Sequence, residues 1–187
     1  MTRDLHIAAE LDAYLRRWPE EAATVEQFRG LLDEHQRGTG SAYVRDRLDG
    51  HFTASAWLVD RTGTRVLLTH HRKLGRWLQL GGHADGDEDL ARVALTEARE
   101  ESGLPGLVVE PALFDLDRHW IPPRGGVPGH WHYDARYVVR AGADERFVVS
   151  AESLDLAWRM IAEVVGDPDA DPSLRRMARK WREAGAR

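Results

Sequence analysis

The sequence predicts an α/β sandwich with a mixed β-sheet, preceded by a helical extension. Three observations carry this. Apolar residues recur at helical spacing near both ends of the chain. Between them, apolar and polar residues alternate with a period of two, broken by Gly-containing turns. One long helical stretch interrupts that strand-rich part. Strands alternating with helices favour a sheet covered by helices. The expected division is a helical extension over 1–50, a strand-rich domain over 51–165, and a connector with a last helix over 166–187.

The elements follow in order. Leu5, Ala8, Ala9, Leu11 and Leu15 mark a first helix that Pro19 interrupts. Thr24 with Gln27 reads as a helix start before Phe28, Leu31 and Leu32. Phe52, Ala54, Ala56 and Leu58 alternate with His51, Thr53, Ser55 and Trp57, as in a strand. Residues 60–64 turn around Gly63, and Val66 to Leu68 begin the returning strand. A long helix fits 88–102, ended by Gly103 and Pro105. Strands fit 108–120 and 130–139, with a weaker one at 147–149. Residues 156–165 read as a helix. Asp171-Pro172 caps a final one through Trp181.

Composition excludes several classes. The chain of 187 residues has no Cys, so neither disulfides nor thiol chemistry operate. No apolar run reaches the ~20 residues of a membrane span. The first residues carry charge and lack a signal-peptide core. A cytoplasmic protein without membrane attachment is expected. The formal charge of −5 disfavours stable nucleic-acid binding. A single polyphosphate is still compatible, because a metal reverses the local charge.

The chemistry is concentrated in residues 81–104. On a helix, Glu97, Glu100 and Glu101 fall at i, i+3 and i+4 and share one face. Ala91, Ala94, Leu95 and Ala98 share another, suited to close packing on a sheet. Three like charges on one face are tolerated in water. They become useful around a hard cation such as Mg²⁺, which prefers oxygen ligands. Gly81-Gly82 precede the helix and allow close backbone approach.

This stretch resembles the signature of the Nudix (MutT-like) hydrolases. That pattern runs Gly, five residues, Glu, seven residues, Arg-Glu, an apolar residue, any residue, Glu-Glu, any residue, Gly, apolar. Gly82, Glu88, Glu97, Ala98, Glu100, Glu101, Gly103 and Leu104 stand at those spacings. The upstream Trp77 to Gly82 are similar to the strand that leads into the signature. The resemblance implies a Nudix-type α/β/α sandwich and a hydrolase that cleaves the diphosphate bond of a nucleoside-diphosphate-linked small molecule. It implies Mg²⁺ or Mn²⁺ as cofactor, held by Glu97, Glu100, Glu101 and the Gly82 carbonyl. One of the Glu would serve as general base. Glu152, after the expected last strand, is a further ligand candidate. The chain departs from the pattern at Thr96, where the family carries Arg. A charge-assisted hydrogen bond contributes about 1.5–3 kcal/mol, so a slower reaction is expected if nothing replaces it.

Other candidates cluster nearby. Asp115, Asp117 and His119 alternate on one strand, and His130, His132 and Asp134 on the next. Pairing His119 with His130 would put all six on one face of a hairpin. That face reads as a wet surface, as substrate contacts through His119, His130, His132 and Asp134, or as a second metal site. The opposite face, with Phe114, Leu116, Trp120, Trp131, Tyr133 and Tyr137, reads as core. Arg72, Lys73 and Arg76 are phosphate contacts or an ordinary charged turn. His83 follows the double Gly and is a candidate contact for a metal or a substrate phosphate. The N-terminal helices are read as packing, as a lid or as a homodimer surface. Arg175, Arg176, Arg179, Lys180 and Arg182 are expected on a solvated face. The competing functional reading is a ligand-sensing Nudix domain with weak or no catalysis.

Overall fold

The computed structural model describes residues 3–149 and 153–185. Helix α1 (Arg3–Arg17), a 3-10 turn (Pro19–Glu21) and α2 (Ala22–Gln36) lead into the sheet. Seven strands follow: β1 (Gly50–Val59), β2 (Arg65–His71), β3 (Arg76–Leu78), β4 (Leu80–His83), β5 (Val108–Ile121), β6 (His130–Arg140) and β7 (Ser153–Met160). Helix α3 (Leu90–Ser102) lies between β4 and β5, while α4 (Ile161–Gly166) and α5 (Pro172–Gly185) end the chain. The expected mixed sheet with helices on its faces is present. No helix is long and apolar enough to cross a membrane.

The sheet splits at the β1–β2 hairpin. The two strands meet at Val59 and Val66, next to a turn in which Asp60 accepts hydrogen bonds from Thr64 N at 2.8 Å and Arg65 N at 3.1 Å. From there β1 runs between antiparallel β4 and parallel β6, and β5 closes that edge. β2 pairs instead with β3 and β7.

β1 is buried along its whole length because both of its faces are covered. Phe52 and Ala54 pack with α1, α2 and α3 through Leu11, Phe28, Leu32, Val93 and Ala94. Trp57 and Val59 pack with α4 and α5 through Ile161, Leu174 and Met177. The N-terminal helices therefore share a core with the sheet and α3, the packing reading of the three. The loop between α2 and β1 holds the approach to α3: Gly86 N donates to Tyr43 O at 2.7 Å, and Arg45 makes a bidentate pair with Asp85.

Four expectations need correction. Residues 156–160 belong to β7, not to a helix. Leu154, Leu156, Trp158 and Met160 alternate with Asp155, Ala157 and Arg159, and β2 supplies the partner that this period-two pattern needs. Residues 147–149 form no strand, and Val148 N is instead tied to Ser102 O at 2.7 Å. Thr24 lies inside α2, because the 3-10 turn at Pro19 starts the helical chain earlier. Finally, Arg176 and Lys180 turn inward. Asp115 is fully buried and accepts from Arg136 at 3.1 Å, Arg176 at 2.8 and 2.9 Å, and Lys180 at 2.6 Å. Lys180 also meets Glu21 at 2.5 Å and Tyr14 at 2.6 Å, which links α5 to the N-terminal segment.

Candidate functional site

Local sequence positions α3. Asp89 caps its first turn, accepting from Arg92 N at 3.0 Å, and Gly103 ends it at φ 67°, a conformation that Gly adopts at little cost. Ala94 and Ala98 are fully buried and bring the helix close to the sheet. That sets the carboxylates against the double Gly. Glu101 is buried and accepts from Gly81 N at 2.8 Å. Glu97 lies on Gly82 so closely that a Cβ there would stand 2.2 Å from its Oε1. Glu100 is exposed on the same helix.

This donor set fits a hard divalent cation: three carboxylates on one helix, beside a backbone stripped of side chains. Gly82→Ala is therefore expected to displace Glu97 and reduce turnover about 10²-fold with little change in far-UV circular dichroism. Wild-type turnover in that variant would show that the position of Glu97 is unimportant.

Thr96 is exposed, and the neighbouring arginines are committed elsewhere. Arg92 is bidentate to Asp87, and Arg99 donates to Leu107 O at 3.3 Å. Arg45, from the loop before β1, also carries a guanidinium near this end of the helix. Its hydrogen bond to Asp85 chiefly holds it charged, with Glu97 adding to that. Sequence reasoning missed Arg45, because only the folded chain brings it to Asp85.

Along β4, successive side chains point to opposite faces. Gly82 faces Glu97, and His83 faces a group of imidazoles. His119 pairs with His132 and Ile121 with His130, so the register is offset by two from the expected pairing of His119 with His130. A two-residue offset keeps the face, so all six expected residues still share it. The core reading of the other face fails in part. Bulges at 109–115 turn Phe114 toward Trp57, and Trp120 is 48% exposed.

β1 adds His51, which sequence reasoning did not single out. It stands opposite His132 in the parallel pair, on a strand whose His51, Thr53 and Ser55 all face this way. Its Nδ1 lies 3.1 Å from Arg47 O; a carbonyl only accepts, so this nitrogen carries the proton. His51 is 1% exposed, and its Nε2 has no hydrogen-bond partner among the described residues. His130 Nδ1 likewise donates to Pro128 O at 2.9 Å, and its Nε2 stands 3.2 Å from His132 Nε2. Burial, reinforced by nearby Arg45 and imidazoles, pushes His83 down to about 4. Burial with the neighbouring imidazoles pushes His132 down to about 2, and burial lowers His51 as well. These three rings are neutral at pH 7 and offer lone pairs.

Asp134 is on the same face but closed to solvent. It accepts from Ser55 at 2.8 and 2.9 Å, from Thr53 at 3.1 Å and from Arg136 at 2.7 Å. Its lone pairs are spent on anchoring β1 to β6 rather than on a ligand. His119 lies at the rim, 3.0 Å from Asp117. Arg72, Lys73 and Arg76 sit on the β2–β3 hairpin. Arg72 donates to Ser153 O at 3.0 Å, and Arg76 meets Asp171 at 3.2 Å. A cavity of about 500 Å³ between β3 and the α4–α5 connector is lined by Arg76, Trp77, Asp171 and Arg175, but by none of the α3 carboxylates and none of the clustered imidazoles. Glu152 lies outside the described residues.

No curated protein sequence matches the chain significantly. Solved structures share its fold at low identity. A NUDIX-family hydrolase from Clostridium perfringens superposes with a TM-score of 0.56 at 21% identity, covering 72% of this chain and 97% of the other. A MutT protein from Methanosarcina mazei Go1 gives 0.59 at 16% identity, covering 75% and 99%. An Ap4A hydrolase from C. elegans gives 0.56 at 16% identity, covering 72% and 97%. The NUDIX domain family profile matches residues 49–181, which spans every strand, the α3 carboxylates and most of α5. The chain belongs to the NUDIX domain family.

Proposed function

We propose that this protein is a metal-dependent hydrolase of a small nucleoside-diphosphate-linked substrate. The observation that carries the reading is the seating of Glu97 and Glu101 against Gly82 and Gly81, with Glu100 open beside them. Glu97, Glu100, Glu101 and the Gly82 carbonyl would hold Mg²⁺ or Mn²⁺, which neutralises diphosphate oxygens and lowers the pKa of a bound water. The chain's own part is positional and acid–base. The Gly81 N–H holds one oxygen of Glu101 and so orients the carboxylate. Exposed Glu100 is placed to accept a proton from an attacking water. Arg45, bidentate to Asp85, adds a weak attraction for Glu97 and does not replace the Arg that the family carries where this chain has Thr96. His83, His119, His130 and His132 share the sheet face opposite Glu97, so they are proposed only as contacts for the outer part of the substrate. Arg72, Lys73 and Arg76 are proposed only as outer phosphate contacts, since the hydrogen bonds of Arg72 and Arg76 run toward β7 and α5.

The second reading, a ligand-sensing domain, rests on Thr96. A panel of diphosphate compounds separates the two: nucleotide sugars, ADP-ribose and dinucleoside polyphosphates, each with Mg²⁺ or Mn²⁺. The expected result is turnover of at least one of them. Tight binding without turnover would establish the sensor instead.

A further inference from the structure

His51 on β1, His83 on β4 and His132 on β6 occupy three neighbouring strands. One ring nitrogen from each lies within 4.8 Å of the other two. The ring centroids form a near-equilateral triangle: 4.8 Å for His51–His132, 5.1 Å for His83–His132 and 5.3 Å for His51–His83. We propose that these three imidazoles form a site for a divalent transition-metal ion of the zinc class, on the face of β4 opposite the carboxylates and chemically separate from them.

The unpartnered Nε2 of His51 is the independent observation. A ring nitrogen closed to solvent and lacking a hydrogen bond is uncommon in a folded chain. Here the cause of its orientation is visible: Nδ1–H donates to Arg47 O, which leaves the Nε2 lone pair aimed at His83 and His132. Metal-ligating imidazoles are held this way, with the second nitrogen bonded to a carbonyl or carboxylate. Strands also give a rigid frame, because His51–His132 and Thr53–His83 are registered pairs in the sheet.

The donors decide the ion. Mg²⁺ prefers oxygen ligands and keeps much of its water, so neutral imidazoles serve it poorly. Imidazole nitrogen suits Zn²⁺ and its neighbours in the first transition row. Zn–N bonds of about 2.0–2.1 Å put tetrahedral nitrogens roughly 3.3 Å apart, which side-chain rotation of the half-buried His83 and His132 can reach. His130 stands beside the three on the same face, its Nε2 3.2 Å from His132 Nε2.

The test needs no substrate. The full chain is stripped with a chelator and titrated with Zn²⁺ by calorimetry, with Mg²⁺ in parallel. One Zn²⁺ per chain is expected, undisturbed by millimolar Mg²⁺. His83→Asn and His132→Asn should each weaken it by more than about 100-fold, beyond the 10–100-fold typical of outer-shell changes. Glu100→Gln should leave it unchanged. Because a buried His variant can fail to fold, Co²⁺ bound to the unaltered chain provides a second readout. The visible absorption of a four-coordinate, nitrogen-ligated ion is expected. Absence of stoichiometric Zn²⁺, undiminished binding in both His variants, loss of binding in Glu100→Gln, or a purely octahedral Co²⁺ spectrum would each overturn the site.

Discussion

Glu101→Gln is expected to reduce Mg²⁺-dependent hydrolysis by roughly 10²–10⁴-fold, the range associated with losing a positioned acid–base or charge-stabilising group. The substitution is nearly isosteric. Its amide oxygen can still accept from Gly81 N, now made at 2.8 Å by Glu101. The helix start at Asp89 and its end at Gly103 are untouched. The change therefore removes a negative charge from the cluster while keeping its packing. The melting temperature should stay within a few degrees and far-UV circular dichroism should be unchanged. Full activity with an unchanged fold would remove the α3 carboxylates from the mechanism.

The largest stability effect is expected at Asp115, on the other side of the sheet. Asp115→Asn deletes the anion shared by Arg136, Arg176 and Lys180. Arg136 is 2% exposed and Lys180 4% exposed, so neither can recover its loss in water. Breaking a buried ion pair from one side costs about 3–5 kcal/mol. At about 2–4 °C per kcal/mol for a chain of this size, melting should fall by roughly 6–20 °C. The pH dependence has a definite sign. Burial opposes the Asp115 carboxylate, but Arg176, Arg136 and Lys180 outweigh it and hold its pKa below the ordinary 3.8. Its contribution is thus complete above pH 3.8 and declines as pH falls through the lower folded value. The gap between wild type and Asp115→Asn should be widest near pH 7 and should narrow below pH 4. A constant gap across that range would show that the charge of Asp115 is not what stabilises the fold.

What could be read from the sequence had local causes. α3 was legible because its apolar stripe, its terminal Gly and its carboxylate spacing all lie in one short stretch. The shared face of the His and Asp residues was also legible, although the pairing was offset by two, because a strand returns to the same face every second residue. What escaped depended on distant pairing. His51 meets His132 only because β1 and β6 run parallel. Arg45 meets Asp85 only because the loop before β1 folds back on the turn between β4 and α3. Lys180 read as solvated because its acceptors, Asp115 and Glu21, lie far away in the chain. β7 was mistaken for a helix because Leu156, Met160, Ile161 and Val164 also satisfy helical spacing. The hydrogen-bonding need of β2 decides between the two.

In the proposed reaction, water attacks a diphosphate phosphorus at the α3 carboxylates. The most direct measurement is mass spectrometry of the products after turnover in ¹⁸O-labelled water with Mg²⁺, using a substrate found in the panel, for wild type and Glu101→Gln side by side. The expected result is one ¹⁸O in one phosphorylated product, formed rapidly by wild type and at a small fraction of that rate by the variant. Label confined to a non-phosphorylated product, or equal labelling rates in the two proteins, would contradict it.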